Sequence, residues 1–305
     1  MGKKEEILDI LPKDAGDLFM RCDLDFSLLQ EIRMRAGQPL QILYQGQKWF
    51  LSRKGTRQKT FHDAFYVTER ILKETLNYIA EYSIYAFQEE LRQGFLTVKG
   101  GHRVGVAGKV ILDQNRVAGV KYLSSMNIRI AHERKGCANQ LLPYLFQKLD
   151  LMHTLILSPP GCGKTTLLRD LIRKLSNGGF TIGVVDERSE ICACYMGIPQ
   201  NDVGIQTDIM DACPKTEGIL MLIRSMAPQI VAVDEIGGKE DLDILQYGMT
   251  CGCIFLATMH GKTVEEVVQK TGHSMFQRYI VLESVGKIQG IFDGKGERLC
   301  GMLEL

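Results

Sequence analysis

The sequence predicts an α/β protein: a parallel-sheet domain in the C-terminal half, preceded by a smaller α+β domain. Three observations carry that expectation. Beyond residue 153 short β-branched runs, TLILS, TIGVV, IVAVD and CIFLAT, alternate with helical stretches and with Gly-rich or polar loops. Strands buried on both faces of a parallel sheet look like this. Before residue 136 the pattern differs, with alternating runs joined by tight turns at Gly37-Gln38-Pro39, Gln45-Gly46 and Lys99-Gly100-Gly101. At 305 residues the chain is also long for one compact domain. The expected division is 1–140 and 141–305, inside the stretch 136–152 where the composition changes character.

Residues 4–31 read as helical, broken at Pro12 and Gly16. IRMR, LQILY and QKWFL then read as three strands over 32–51, with Trp49 assigned to the core. Lys48, Arg53, Lys54, Arg57 and Lys59 follow without an acid between them. A solvated basic loop is the ordinary reading of such a run, and an acidic partner or lipid headgroup the sharper one. Thr68 opens a helix whose Leu72, Leu76 and Ile79 share one face. A second helix is expected over 83–93, stopping at Gly94. FLTV and HRVGVAGKVIL form a hairpin across Gly100-Gly101. No helix follows those glycines, which excludes a dinucleotide-binding fingerprint. A linking helix is expected over 136–151.

Basic and acidic side chains nearly balance, 37 against 36, so net charge makes no case for nucleic acid. The halves differ, with 23 basic and 17 acidic side chains in residues 1–150 and 14 against 19 in 151–305. Such halves suit head-to-tail contact between copies in a ring. The nine cysteines, including Cys192/Cys194 and Cys251/Cys253, have no matching His cluster and read as reduced, packed thiols. No apolar run reaches the ~18 residues of a membrane span, and the first residues lack an apolar signal core. The expectation is a soluble chain, at most docked peripherally on a membrane.

The chemistry concentrates in Ser158, Pro159, Pro160, Gly161, Cys162, Gly163, Lys164, Thr165 and Thr166. They follow the strand LILS and precede the helix LLRDLIRKL. Backbone N–H groups of such a loop cradle phosphate oxygens, aided by the positive end of the helix. Lys164 then reaches the β- and γ-phosphates and the Thr165 hydroxyl ligates Mg²⁺. The strict pattern has Gly where this chain has Ser158, a position away from the close phosphate approach at Gly161 and Gly163. IVAV runs into Asp234 and Glu235, which read as the metal-side acid and the base that orients the attacking water. Val184-Val185 leads into Asp186-Glu187-Arg188-Ser189-Glu190, and Ala257-Thr258 into Met259-His260. All four loops leave the carboxyl ends of parallel strands, where such sheets bind ligands. Thr258 or His260 is placed to sense the γ-phosphate or the water. These features predict a RecA-like or AAA+ P-loop NTPase core that uses ATP and Mg²⁺.

Strands ending in VDERSE, VDE and TMH behind a mixed N-terminal domain resemble the type II and type IV secretion ATPases and pilus retraction motors. There the three regions are called the Asp box, Walker B and His box. Longer blocks, among them EIRMRAGQPL (31–40), MNIRIAHERKG (126–136), SPPGCGKTTLLRDLIRKLS (158–176) and CPKTEGILMLIRSMAPQIVAVDEIG (213–237), resemble the stage III sporulation protein AA family of endospore-forming bacteria. That resemblance implies a mother-cell cytoplasmic ATPase. It also implies membrane-protein partners, encoded with it, that build a channel into the forespore, and a homo-oligomer, a hexameric ring by analogy. It makes Glu235 the catalytic acid, places Glu187 and Glu190 in the Asp box and His260 in the His box, and gives Arg103 and Arg129 the place of arginines that face ATP. Gln206 stands where an Arg is expected, and nothing is carried over beyond 283. Arg188 and Arg224 are the local arginine candidates near the phosphate. The alternative is a nucleic-acid-linked P-loop ATPase. It lacks an R-x-x-x-H helix or an aromatic-interleaved basic stripe in the sequence, so no nucleic acid is expected.

Overall fold

The computed structural model describes residues 2–80, 94–113, 116–271 and 275–305; the helix expected over 83–93 lies outside them. The chain divides into two compact units, Met1–His132 and Glu133–Leu305.

The first unit opens with helices α1 (Lys3–Asp9) and α2 (Lys13–Arg21). Pro12 separates them, as its missing N–H dictates. Gly16 does not break α2: it is buried, and its N–H bonds to the Pro12 carbonyl at 2.8 Å. Helical structure also stops short of residue 31, because the next segment joins the sheet. Strands β1 (Leu29–Arg35), β2 (Gln41–Tyr44), β3 (Gln47–Leu51) and β4 (Arg57–Gln58) precede helix α3 (Glu69–Ile79). Strands β5 (Phe95–Val98), β6 (His102–Asp113) and β7 (Arg116–Arg129) follow it. The sheet is antiparallel in the order β4-β3-β2-β1-β7-β6-β5. Period-two burial sorts its faces: Ile32 and Met34 of β1 are fully buried, whereas Glu31, Arg33 and Arg35 lie on the other face. The Thr68 hydroxyl caps α3 by accepting the Ile71 N–H at 3.2 Å, and Leu72 and Ile79 are buried. Trp49 is not a core residue. It sits half-buried near the sheet edge with Lys59 Nζ 3.5 Å from its ring centroid.

The second unit begins at Glu133, ahead of the boundary expected after 140, and Asp170 supplies the reason. Its Oδ2 accepts the N–H groups of Gly136 at 2.9 Å and Ala138 at 2.8 Å, tying residues 136–138 to the second unit. The linking helix expected over 136–151 is a single turn, α4 (Leu142–Leu145), and a minimal hairpin of β8 (Phe146–Gln147) and β9 (Asp150–Leu151). Then come β10 (Thr154–Ser158), α5 (Lys164–Asn177), β11 (Ile182–Asp186), β12 (Thr207–Asp211), α6 (Lys215–Ser225), β13 (Ile230–Val233), α7 (Lys239–Thr250), β14 (Ile254–His260), α8 (Val264–Thr271) and β15 (Arg278–Ser284). The strand order β12-β11-β13-β14-β10-β15 is parallel throughout, and β16 (Lys287–Asp293) and β17 (Arg298–Cys300) continue it antiparallel.

The four expected strands are all present and buried on both faces, as their continuous apolar runs require. Ile156, Val184, Ala232 and Leu256 pack with Leu168, Leu171 and Ile172 of α5. Leu155, Val185, Val233 and Phe255 pack with Leu222 of α6 and Leu245 of α7 on the opposite side. A Cβ on Gly248 of α7 would stand 2.5 Å from the Phe255 ring, so only glycine lets that helix sit so close to the sheet. Cys192 and Cys194 are buried in the first of these cores and Cys253 in the second.

Asp170 also bonds Arg173 at 2.6 Å from α5's own next turn. Burial works to raise its carboxyl. The Ala138 N–H, Arg173 and the Gly136 N–H outweigh it and hold the group below its ordinary 3.8. A depressed native value contributes stability above the unfolded-state value, lost as pH falls through the native one. Asp170→Asn is expected to cost about 2–4 kcal/mol. In urea titrations the gap between parent and variant should close as pH drops below 3.8; a gap constant with pH would contradict the assignment.

Candidate functional site

The site forms where β10, β11, β13 and β14 end, because parallel strands deliver their carboxyl-terminal loops to one edge. Register fixes the details. Ser158 lies beside His260, and Ile156 beside Thr258. Val233 lies beside Ala257, which sets Asp234 next to Thr258.

The loop from Ser158 to Gly163 turns through two left-handed glycines, Gly161 (φ 77°) and Gly163 (φ 94°). A Cβ built on either meets nothing within 4 Å, so the loop keeps an open concave side that any side chain would fill. Ser158 closes β10, fully buried, with its hydroxyl donating to the Pro159 carbonyl at 2.7 Å. Pro159 and Pro160 form the bend, and the Cys162 thiol reaches the Pro160 and Glu283 carbonyls at 3.8 Å. Lys164 begins α5. Its Nζ donates to the Ser158 and Pro159 carbonyls, each at 3.3 Å, and to His260 Nδ1 at 3.0 Å. Burial lowers its ammonium pKa, opposed by Asp234 and Glu235. Thr165 follows, its hydroxyl donating to Asp234 Oδ2 at 2.6 Å. Thr166 is half-buried in the same turn, its carbonyl 3.9 Å from the Cys137 thiol.

Thr258 explains how the acids are held. Fully buried, its hydroxyl donates to Asp234 Oδ1 and accepts the Glu235 N–H at 2.9 Å. Of the two residues expected to face the γ-phosphate or water, Thr258 is therefore committed to the acids. His260 remains, half exposed. With Nδ1 accepting from Lys164, its Nε2–H points to Glu235 Oε1 at 3.2 Å. Glu235 has a left-handed backbone, φ 51°, an outlier for a non-glycine residue that costs about 1 kcal/mol or more. Arg188 Nη1 binds its other oxygen at 2.7 Å.

The Asp-box loop reaches the same place. Asp186, Glu187, Arg188 and Glu190 line one cleft with Lys215, Asp234 and Glu235. Glu187 pairs with Lys215. Glu190 contributes its main chain: its N–H bonds Asp186 and its carbonyl accepts Arg169 at 2.7 Å. Asp186, not singled out from the sequence, is the knot of this loop, accepting the N–H groups of Glu190, Ile191 and Cys192 within 3.0 Å. Burial raises its carboxyl despite those donors. Arg224 is exposed in the last turn of α6. Gln206 bonds Ser176 through its main chain at 2.8 Å.

Arg103 and Arg129 belong to the first unit, directly opposite each other on β6 and β7. The Arg103 guanidinium lies 3.7 Å from the Phe95 ring centroid, and Arg129 Nε is 3.9 Å from Glu31.

These donor sets fit a nucleotide and its metal. An open N–H-lined loop and a lysine suit phosphate, and a hydroxyl and two carboxylates at hydrogen-bond range suit a hard divalent cation. A family model described as sporulation stage III, protein AA, matches residues 1–299. Stage III sporulation protein AA of Bacillus subtilis (strain 168) is 38% identical over 309 residues, covering 96% of each chain. Among solved structures, the pilus retraction motor PilT with bound ADP aligns with a TM-score of 0.57 at 16% identity, over 90% of this chain and 79% of that one. The DotB ATPase of Legionella pneumophila aligns with a TM-score of 0.52 at 14% identity, over 84% and 72%. The fold is thus that of the PilT motor and the DotB ATPase, with a P-loop core, and the chain belongs to the stage III sporulation protein AA family.

Proposed function

We propose that the chain is a Mg²⁺-dependent ATPase, a ring-forming motor of the secretion type. It acts in endospore formation from the mother-cell cytoplasm, energising a channel into the forespore built by membrane proteins encoded with it. The observation that carries the enzymatic part is one connected network. Lys164, His260 and Glu235 form one branch, and Thr165, Asp234 and Thr258 the other.

In this reading the loop amides of 159–164 bind the β-phosphate and Lys164 exchanges its carbonyl partners for phosphate oxygens. Thr165 and Asp234 would hold the metal, and Mg²⁺, when bound, would offset the negative charge of the phosphate groups. Glu235 orients the attacking water and takes its proton on a carboxylate oxygen, with Arg188 and His260 fixing that carboxylate's direction. Glu187 and Glu190 shape the Asp-box wall of the cleft. Arg103 and Arg129 complete the site of a neighbouring copy, where an arginine against the γ-phosphate is worth ~10³–10⁵ in rate. The excess of basic side chains in the first half and of acidic ones in the second supports head-to-tail assembly.

Lys164→Ala is expected to abolish nucleotide binding with the circular dichroism spectrum unchanged, since the loop keeps its glycines; undiminished hydrolysis by that variant would end the reading. Glu235→Gln keeps shape and hydrogen bonds but cannot accept a proton. ATP binding, followed with a fluorescent analogue, should survive while turnover falls about 10²–10⁴-fold. Asp234→Asn should instead weaken the metal dependence, and reversed behaviour would exchange the two roles. Mixing Glu235→Gln with Arg129→Ala subunits should recover hydrolysis that neither has alone. A monomer with full, concentration-independent turnover contradicts the shared site.

A further inference from the structure

We propose that the β3–β4 edge of the first unit is a docking surface for an anionic lipid bilayer. Residues 32–62 contain no Asp or Glu and seven Lys or Arg. Five of these, Lys48, Arg53, Lys54, Arg57 and Lys59, are exposed on or beside β3 and β4. Among the described residues none of the five has a carboxylate within ion-pair distance. The structure pins two of them instead. Lys59 stands 3.5 Å from the Trp49 ring centroid and donates to Gln47 Oε1 at 2.9 Å; Arg57 lies 4.5 Å from the Tyr44 centroid. Both have part of their freedom already removed. Beside them Phe61 is 56% exposed, edge-on to Phe50 with centroids 6.5 Å apart.

Clusters of four or more unneutralised cations attract anionic headgroups, and an exposed aromatic ring among them suits the headgroup level of a membrane. Single-stranded nucleic acid fits less well. It needs open aromatic faces for base stacking, and here the protein's own cations cover Trp49 and Tyr44. No helix among the described residues is long and apolar enough to cross a bilayer, so contact at this edge is peripheral.

The test sediments the full chain with vesicles of phosphatidylcholine alone, or with about one-third phosphatidylglycerol added. Binding is expected only to the anionic vesicles, and is expected to vanish between about 0.1 M and 1 M salt as screening shortens. The variant R53Q/K54Q/K59Q should lower partition on the order of 100-fold, roughly fivefold per charge. K109Q/K121Q, which removes charge from the β6–β7 hairpin, should leave it unchanged. If the triple variant fails to fold, the lipid and salt series on the unmodified chain decides. The proposal is overturned by equal binding to neutral vesicles, by equal loss in the hairpin variant, or by no binding to anionic vesicles. Tighter binding to a single-stranded oligonucleotide or an acidic peptide than to anionic vesicles overturns it too.

Discussion

The second unit depends on one placement: β14 lies between the strand that carries the P-loop and the strand that carries the acids. The Asp234 carboxylate at the tip of β13 is half-buried and takes its donors from neighbouring elements. Because β14 intervenes, its Thr258 stands beside Asp234 on one side, and its His260 stands beside Ser158 on the other. Asp234's second oxygen is left for Thr165 in the first turn of α5. Three elements distant in sequence are thereby bonded through one carboxylate. Removing β14 from that position would take the Thr258 donor from the half-buried Asp234 and the His260 partner from Lys164.

Around this centre the charges are matched before any phosphate is considered. Lys164 and Arg188 face Glu235 through His260 and directly, and Lys215 faces Glu187. Without these cations the strand ends would carry mutually repelling acids. The matching makes Lys164 reside on carbonyls that a phosphate group would have to replace, and it holds Glu235 in a left-handed conformation that an unconstrained residue would leave. The Asp186 knot serves the same end by structure alone: three N–H bonds to one buried carboxylate stiffen the loop that presents Glu187 and Arg188.

What was legible in the sequence was local. A β-branched run, a glycine loop and a helix adjoin each other in the chain, so β10, the loop and α5 follow from residues 154–177 alone, and β11, β13 and β14 follow from their apolar runs. What was not legible depended on partners far along the chain. TDIMD looks polar and is nonetheless β12, because an edge strand is only half buried. Trp49 reads as core by composition but is covered by Lys59, ten residues on. The 136–151 stretch has helical composition, yet the Asp170 carboxylate captures its start. Thr258 was visible at the site, but which way its hydroxyl turned was decided by Asp234.

The outer face of the first unit's sheet supplies the last step. Arg103 and Arg129 are paired directly across β6 and β7, and Arg33 lies on the neighbouring strand facing the same side. Like charges directly opposite in a sheet are unfavourable, and stability alone would favour replacing one of them. The fold accommodates the pair by laying Arg103 along the Phe95 ring and by placing Glu31 between Arg33, at 2.8 Å, and Arg129, at 3.9 Å. Glu31 thus stands between two of the guanidinium groups, while the third lies along an aromatic face. A polyanion brought to this face by another copy would meet arginines already held on ordered strands, so less freedom is lost on binding, in keeping with the phosphate-facing role proposed for Arg103 and Arg129.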